Sequence, residues 1–361
     1  MRTQRIQVAF WPIEVPLERP MRTARGESTN QQTVIVEVRD NECQLAGYGE
    51  IGCVRRAGLD ASHVAREITR AMPLIESYAG EDPEDFWTRN NGSLGQCPAV
   101  QSGIDTALHD LSAKVRGLPL WRAWGLRADS VPSSSRTVSL GTVEDMTEEV
   151  LAAAGWPALK VKIASSTVIA EIETLRELTS VPFRLDGNGG LAAAWVRSNE
   201  SALAAAGCEL LEQPLSEHDR HDQRALYEAV AMPLFADESC HHLDDVRSCS
   251  GAFDGVNVKL AKCGGLTPAR RIIATANALG LQTMVGCMGE TTVGVSAAAQ
   301  LLPLADLADL DSACLMTSDI ASGVRVGPDG VALPEGPGIG ADIDWDVVHQ
   351  HHLAPWKEGR R

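Results

Sequence analysis

Six charged side chains sit among apolar neighbours. Lys160, Lys162, Asp186, Glu212, Asp237 and Lys259 lie in or at the ends of short runs flanked by Leu159, Val161, Ile163, Leu185, Leu210, Leu211, Phe235, Val258 and Leu260. A buried charge without partners is strongly unfavourable, so a series of six reads as purposeful, although any single one could be a strand end meeting solvent. Asp186 and Glu212 are 26 residues apart, and Glu212 and Asp237 are 25 apart. That spacing puts the three carboxylates on successive copies of one structural unit. Oxygen-only acidic donors suit a hard divalent cation, and Mg²⁺ takes about six oxygens, waters or substrate included. Lys160 and Lys162 share a strand face because side chains alternate with period two. Lysines beside such a cation suit removal of a proton α to a carboxylate, which proceeds only if the developing negative charge is stabilised.

The elements that must position these residues follow a regular beat. Candidate strands are Arg136 to Leu140, Ala158 to Ile163, Pro182 to Asp186, Glu209 to Glu212, Pro233 to Asp237, Gly255 to Lys259, Leu281 to Val285 and Asp306 to Leu310, with starts 22 to 27 residues apart. Between them lie helix-like segments such as Val168 to Leu178, Ala192 to Ala206, Pro268 to Leu279 and Thr292 to Leu302, several opened by Ser, Thr or Pro. An open doubly wound sheet shares this local beat, and the count of eight decides for a parallel barrel, whose active face is formed by the strand C-terminal ends. The expected fold is α/β: a modified TIM (β/α) barrel over residues 129–330 behind an α+β capping domain over residues 1–128. In the cap, Gln32 to Arg39 reads as a strand, Gly47 to Glu50 as turn chemistry, and Ser62 to Ser77 and Ala99 to Val115 as helices. The tail, 331–361, carries Pro334, Pro337 and three glycines and is expected to pack back on the cap.

Composition narrows the partners. The 361 residues carry 32 Lys and Arg against 48 Asp and Glu, a net charge of −16, which disfavours nucleic acid and anionic membranes. The apolar stretch after Arg2 and Arg5 is broken by Gln7, Pro12 and Glu14, unlike a signal peptide, and no run of 18 apolar residues occurs; a cytoplasmic protein is expected. None of the nine cysteines forms a CxxC pair, so neither a disulfide framework nor a thiolate zinc site is indicated.

The segments Leu159-Lys-Val-Lys-Ile163, Arg184-Leu-Asp-Gly-Asn188, Leu210-Leu-Glu-Gln-Pro-Leu215, Ala236-Asp-Glu-Ser239 and Val256-Asn-Val-Lys-Leu260 resemble the muconate-lactonizing subgroup of the enolase superfamily, over nearly the whole chain. The resemblance implies Mg²⁺ on Asp186, Glu212 and Asp237, with Lys162 and Lys259 as acid and base on opposite faces of a substrate enolate and Lys160 as an electrostatic helper. Members with a His–Asp dyad carry a histidine near strand seven; no histidine falls between residues 243 and 348, which disfavours the mandelate-racemase and sugar-acid dehydratase branches. His241 and His242, just after strand five, are expected in a solvated loop.

Three further segments, Met284 to Thr292, Leu307 to Asp311 and Pro20 to Gly26, resemble dipeptide epimerases. That resemblance implies 1,1-proton transfer at the α-carbon of the C-terminal residue and a dipeptide as the small-molecule partner; a homo-oligomer is the expected assembly. Asp309 and Asp311 would grip the dipeptide ammonium, which has three donors to share; a turn cap is the alternative for either one. Arg22 and Arg25 lie in a cap loop that in the family reads the substrate side chain. Arg25 could take a distal carboxylate or form a surface salt bridge. Glu290 reads equally as pocket lining or as a helix N-terminal acid. The segment Ile51-Gly-Cys-Val-Arg-Arg56 departs from the family pattern, which leaves side-chain specificity open. An o-succinylbenzoate synthase-like dehydratase, an N-acylamino-acid racemase or a cycloisomerase are the alternatives on this scaffold, and a metal-binding regulatory protein is the non-enzymatic one.

Overall fold

A computed structural model describes residues 5–53 and 59–353. The chain opens with an antiparallel sheet in the order β1-β2-β3, formed by β1 (Ile6–Thr23), β2 (Gly26–Asp40) and β3 (Leu45–Gly52). Helices α1 (Ala61–Ile75), α2 (Pro83–Asn90) and α3 (Pro98–Val115) follow, then the single turn α4 (Leu120–Ala123). Both sheet faces are buried, and period two sorts the residues between two cores. Val34, Val36 and Val38 join Val64, Ile68, Ile104 and Leu108 in the cap core. Ile35, with Trp11, Ile13 and Val15, belongs to the barrel core.

The segment Gly47 to Glu50, expected as a turn, is instead the middle of β3, and the turn lies just before it at residues 41–44. The glycines serve close packing. A Cβ on Gly47 would stand 2.0 Å from the Ala107 carbonyl oxygen, and one on Gly49 would stand 1.9 Å from that of Gly103, so their absence lets α3 lie directly on the strand.

Eight parallel strands form the second sheet: β4 (Arg136–Val138), β5 (Leu159–Lys162), β6 (Phe183–Asp186), β7 (Cys208–Glu212), β8 (Leu234–Ala236), β9 (Gly255–Lys259), β10 (Gln282–Gly286) and β11 (Leu307–Asp309). They run in sequence order, and a parallel bridge between Ser134 and Ala308 joins the last to the first. All eight expected strands are present. Around them lie α5 (Val143–Ala152), α6 (Ile169–Leu178), α7 (Ala193–Ala205), α8 (Arg220–Ala229), α9 (Leu243–Cys249), the short α10 (Leu260–Cys263), α11 (Leu266–Ala278) and α12 (Thr292–Ala299). Inside the barrel, Leu210, Phe235 and Met284 form an apolar cluster with Leu307 against it. Each lies two residues before a mouth residue (Glu212, Asp237, Gly286 and Asp309), so the cluster is the floor on which the mouth rests.

Beyond the barrel come β12 (Ala321–Ser322), the hairpin β13 (Arg325–Gly327) and β14 (Gly330–Ala332), β15 (Asp342–Ile343) paired with β12, and α13 (Trp345–Gln350). This segment returns to the edge strand β1, where Pro12 and Pro16 are tolerated. The Glu14 amide donates to the His351 carbonyl at 3.0 Å and the Leu353 amide to that of Pro12 at 2.9 Å. Trp345 meets Trp11 edge-on, with ring centroids 4.6 Å apart. The edge is thereby covered, which removes a template for pairing with other chains. Among the described residues no helix is long and apolar enough to cross a membrane.

Candidate active site at the barrel mouth

Strand register assembles the first row of the site. Lys162 pairs with Asp186 across β5 and β6, and Asp186 with Glu212 across β6 and β7. The chain then bends sharply: Asn188 and Gln213 adopt φ of +43° and +35°, a strained left-handed conformation for non-glycine residues. The bend lets Gln213 Oε1 accept from the amides of Asp237 and Ser239, each at 3.0 Å, fixing the next carboxylate-bearing loop. Lys162 and Lys259 stand on the second and sixth of eight barrel strands, on opposite sides of the mouth.

Four ammonium groups thread the carboxylates. Lys160, only 2% exposed, places Nζ 2.7 Å from Asp309 Oδ2, 2.8 Å from Glu212 Oε2 and 3.2 Å from Asp186 Oδ2. Lys162 Nζ lies 2.6 Å from Asp186 Oδ2, and Lys259 Nζ 2.8 Å from Asp237 Oδ2. Lys262 was not singled out from the sequence. Its Nζ bonds Asp237 Oδ1, the Asp237 carbonyl at 2.6 Å and the Asn257 carbonyl at 2.9 Å. The signal was its position three residues beyond Lys259, which on the single turn α10 brings it back to the strand end.

Burial pushes every carboxyl here toward its neutral form, and the lysines decide which resist. Asp186, beside Lys162 and Lys160, and Asp237, beside Lys259, Lys262 and Lys160, are held below the ordinary carboxylate range in spite of burial. Glu212, whose main counter-charge is Lys160, is pushed up to about 7 by burial. Burial would lower Lys160 and Lys259, but the surrounding carboxylates hold both ammonium groups above the usual lysine range.

Asp309 and Asp311 lean together toward the first barrel strand. Asp309 Oδ1 accepts from Ser135 Oγ at 2.9 Å, while Oδ2 joins Lys160. Asp311 accepts from the Thr137 amide at 2.7 Å and the Thr137 hydroxyl at 3.1 Å. The strand ends at Asp309, and Asp311 precedes a 3-10 turn over Ser312–Leu315 without capping it through its side chain. Burial and the neighbouring Asp309 push Asp311 up to about 6; Lys160 holds Asp309 down in spite of burial.

The remaining candidates are placed differently. Arg25, at the tip of the β1–β2 hairpin, pairs with Glu238 at 3.1 Å and Glu217 at 3.6 Å and donates to the Asn188 carbonyl at 3.2 Å. Arg22 is paired in solvent with Glu27 and Asp145. Glu290 is buried; its carboxylate accepts from the Met288 amide and lies beside Gly52 of β3. His241 and His242 are exposed, as expected, and their amides donate to Asp245 at the start of α9. Of the segment 51–56, Val54, Arg55 and Arg56 lie outside the described residues. No disulfide links the cysteines among the described residues.

Among the described residues, no three His, Cys, Asp or Glu side chains are gathered closely enough to cage a metal as they stand. Lysine ammonium groups lie between the carboxylates instead. The donor set nonetheless fits a hard dication: it is all oxygen and anionic, and Glu212 Oε2 is buried without a hydrogen bond, near Lys160 Nζ but out of line with it.

The chain is similar to known proteins along nearly its whole length. It is 35% identical over 344 residues to an L-Ala-D/L-amino acid epimerase of Maribacter sp., covering 94% of this chain and 100% of that protein. Its fold superposes with a TM-score of 0.84 on a dipeptide epimerase from Methylococcus capsulatus complexed with Mg and L-Arg-D-Lys, at 28% identity, covering 93% of this chain and 98% of the other. The corresponding figures are 0.87, 26%, 95% and 100% for a dipeptide epimerase from Enterococcus faecalis complexed with Mg and L-Leu-L-Tyr. Residues 5–125 match the mandelate racemase / muconate lactonizing enzyme N-terminal domain, and residues 142–347 match the enolase C-terminal domain-like model. With both halves matched in order, the chain belongs to the mandelate racemase / muconate lactonizing enzyme family of the enolase superfamily.

Proposed function

We propose that this protein is an Mg²⁺-dependent dipeptide epimerase that inverts the α-carbon of the C-terminal residue by 1,1-proton transfer. The observation that carries this reading is the placement of Lys162 and Lys259 on opposite sides of the mouth, with Asp186, Glu212 and Asp237 between them on consecutive strands. Support comes also from the relatives: an L-Ala-D/L-amino acid epimerase, and two dipeptide epimerases whose structures are complexed with Mg and a dipeptide. Asp186, Glu212 and Asp237 would hold the ion. Bound there, Mg²⁺ supplies Lewis-acid stabilisation for negative charge developing on the substrate carboxylate.

Each lysine reaches one face of the α-carbon. One removes the α-proton and the other, as its ammonium, returns a proton to the opposite face. A lysine paired with a carboxylate is the acid of the couple, and the same side chain becomes a base once it has given up that proton. Lys160, two residues before Lys162 on the same strand, holds the Asp186, Glu212 and Asp309 carboxylates in place and adds positive charge to the site. Asp309 and Asp311 are the acceptors for the dipeptide ammonium, a charge-assisted contact that distinguishes a free dipeptide from an N-acylated one.

The test is incubation of L,L-dipeptides with the enzyme and Mg²⁺ in D₂O. Deuterium at the C-terminal α-carbon together with appearance of the L,D diastereomer is the expected result. Absence of exchange across a broad dipeptide set, or a product lighter by one water, would remove the epimerase reading.

A further inference from the structure

A carboxylate of the cap crosses into the barrel beside the site. Glu50, buried near the end of β3, accepts from the Thr291 amide at 2.9 Å through Oε1. Its Oε2 accepts from the Thr291 hydroxyl at 2.7 Å and from the Gly294 amide at 2.8 Å. Thr291 is the N-cap residue of α12 and Gly294 its third residue, so Glu50 satisfies donors at the helix start that the helix itself leaves open. The fit is close: a Cβ on Gly294 would stand 2.5 Å from Glu290 Cβ and 3.1 Å from Glu50 Oε2.

The segment held this way leads to the mouth. Between β10 and α12, the Glu290 carbonyl accepts from Ser312 Oγ at 2.6 Å, and Cys287 Sγ lies 3.2 Å from the Asp309 carbonyl oxygen. Those two contacts support the backbone that carries Asp309 and Asp311. The connection therefore runs from the cap, through Glu50, to the loop after β10 and on to the aspartates after β11.

We propose that Glu50 is a positioning residue that sets the Asp309–Asp311 pair for recognition of the substrate ammonium, by fixing the β10–α12 loop from the cap side. This rests on the dipeptide-epimerase reading. A Gln at position 50 retains one acceptor oxygen but turns an NH₂ toward the other donors. The Thr291 hydroxyl can rotate to accept from it, whereas the Gly294 amide cannot. Thr291→Val leaves the Glu50 carboxylate and both backbone amides in place and removes the hydroxyl, which donates to Glu50 Oε2 and accepts from the Val293 amide at 3.3 Å. Two perturbations of graded size are thus available at one contact.

The experiment compares turnover of a free dipeptide with that of its N-acetylated form in wild type, Thr291→Val and Glu50→Gln, alongside melting temperature and Mn²⁺ binding by electron paramagnetic resonance. The expected result is a fall of roughly tenfold in kcat/KM for the free dipeptide in Glu50→Gln, carried by KM with kcat within about threefold, and a smaller fall in Thr291→Val. Preference for free over N-acetylated substrate should shrink by the same factors, with Mn²⁺ affinity unchanged. If both variants fold and keep the wild-type preference, Glu50 is only a structural cap and the proposal fails. If Glu50→Gln does not fold, Thr291→Val alone decides by the same ratio. If wild type itself shows no preference, the ammonium reading of Asp309 and Asp311 fails, and Glu50 has no such pair to position.

Discussion

Two sets of buried carboxylates, one at the barrel mouth and one where cap helix and strand meet barrel helices, are stabilised differently. At the mouth, Asp186, Asp237 and Asp309 are in contact with lysine ammonium groups and stay ionised despite burial. At the cap–barrel seam, Glu50 accepts from Thr291 and Gly294, and Asp105 of α3 accepts from the Thr267 amide and hydroxyl at 2.8 Å each. Both seam groups cap the first turn of a barrel helix, and burial pushes each up to about 7. At Glu50 and Asp105 hydrogen-bond donors and a helix dipole do not offset the desolvation, whereas at Asp186, Asp237 and Asp309 the lysine charges do. The mouth thus keeps negative oxygen charged beside lysines, which is what the proposed cation site requires, whereas the seam carboxylates tie cap to barrel. Glu212 stands between the two cases, with one lysine, one bond from Asn257 at 2.9 Å and a shift like that of the seam groups.

Removing the ammonium groups of the mouth has the largest expected effect. Lys162→Ala and Lys259→Ala should each lower epimerisation by about 10²- to 10⁴-fold, the usual contribution of a positioned acid or base. One variant should retain solvent exchange of the α-proton for a single enantiomer, read by proton NMR in D₂O. Full turnover by either variant would contradict the two-base scheme.

Next is the aspartate pair. Asp309→Asn or Asp311→Asn should cost about 2 to 5 kcal/mol of substrate recognition, roughly 30- to 5,000-fold in kcat/KM. Asp309→Asn should be the larger, since it also deprives Lys160 of a counter-charge. N-acetylation of the dipeptide should reproduce the loss in the wild-type enzyme, and equal processing of both substrates would argue for an N-acylamino-acid racemase.

The seam can be sharpened by pH. Glu50 is raised from an ordinary 4.5 to about 7 by burial, with Glu290 the facing acid that adds to the rise. A carboxyl raised in the folded state stabilises the fold fully below its unfolded pKa; that contribution is lost as pH climbs toward about 7 and is flat above. The full swing is about 3 kcal/mol. Melting temperatures of wild type relative to Glu50→Gln should therefore fall between pH 5 and pH 8, and a constant difference would show that Glu50 does not titrate in that window.

Neutralising a mouth carboxylate is a milder test of binding. Asp186→Asn, Glu212→Gln and Asp237→Asn should each weaken Mg²⁺ by at least roughly 10- to 100-fold, measured by calorimetric titration. Unchanged affinity in all three would dissolve the metal assignment.

The smallest effect belongs to the hairpin tip. Arg25→Met removes ion pairs to Glu238 and Glu217 that are partly solvated, worth about 0.2 to 1 kcal/mol. A change of at most a few-fold in KM is expected. A loss confined to dipeptides ending in Glu or Asp would instead mark Arg25 as a reader of acidic side chains.

The barrel and its mouth were legible in the sequence because both are written at short range. A βα unit repeats every 22 to 27 residues, apolar runs define each strand, and a charge breaking such a run is visible without knowing what lies beside it. Lys162, Asp186, Glu212, Asp237 and Lys259 fall at strand ends by local pattern alone. Gly47 to Glu50 reads as a turn yet lies in β3, because glycine signals a turn as readily as it signals close packing. Only α3, docked more than fifty residues later in the chain, separates the two. Lys262 and the turn after Asp309 depend on how one short helix and one strand end are oriented. The Glu50 contacts lie 241 and 244 residues away in sequence. No periodicity or propensity carries information over that distance: it is the burial of two apolar cores against a shared sheet that brings the cap carboxylate to the barrel helix, and only the folded chain decides which donors it meets.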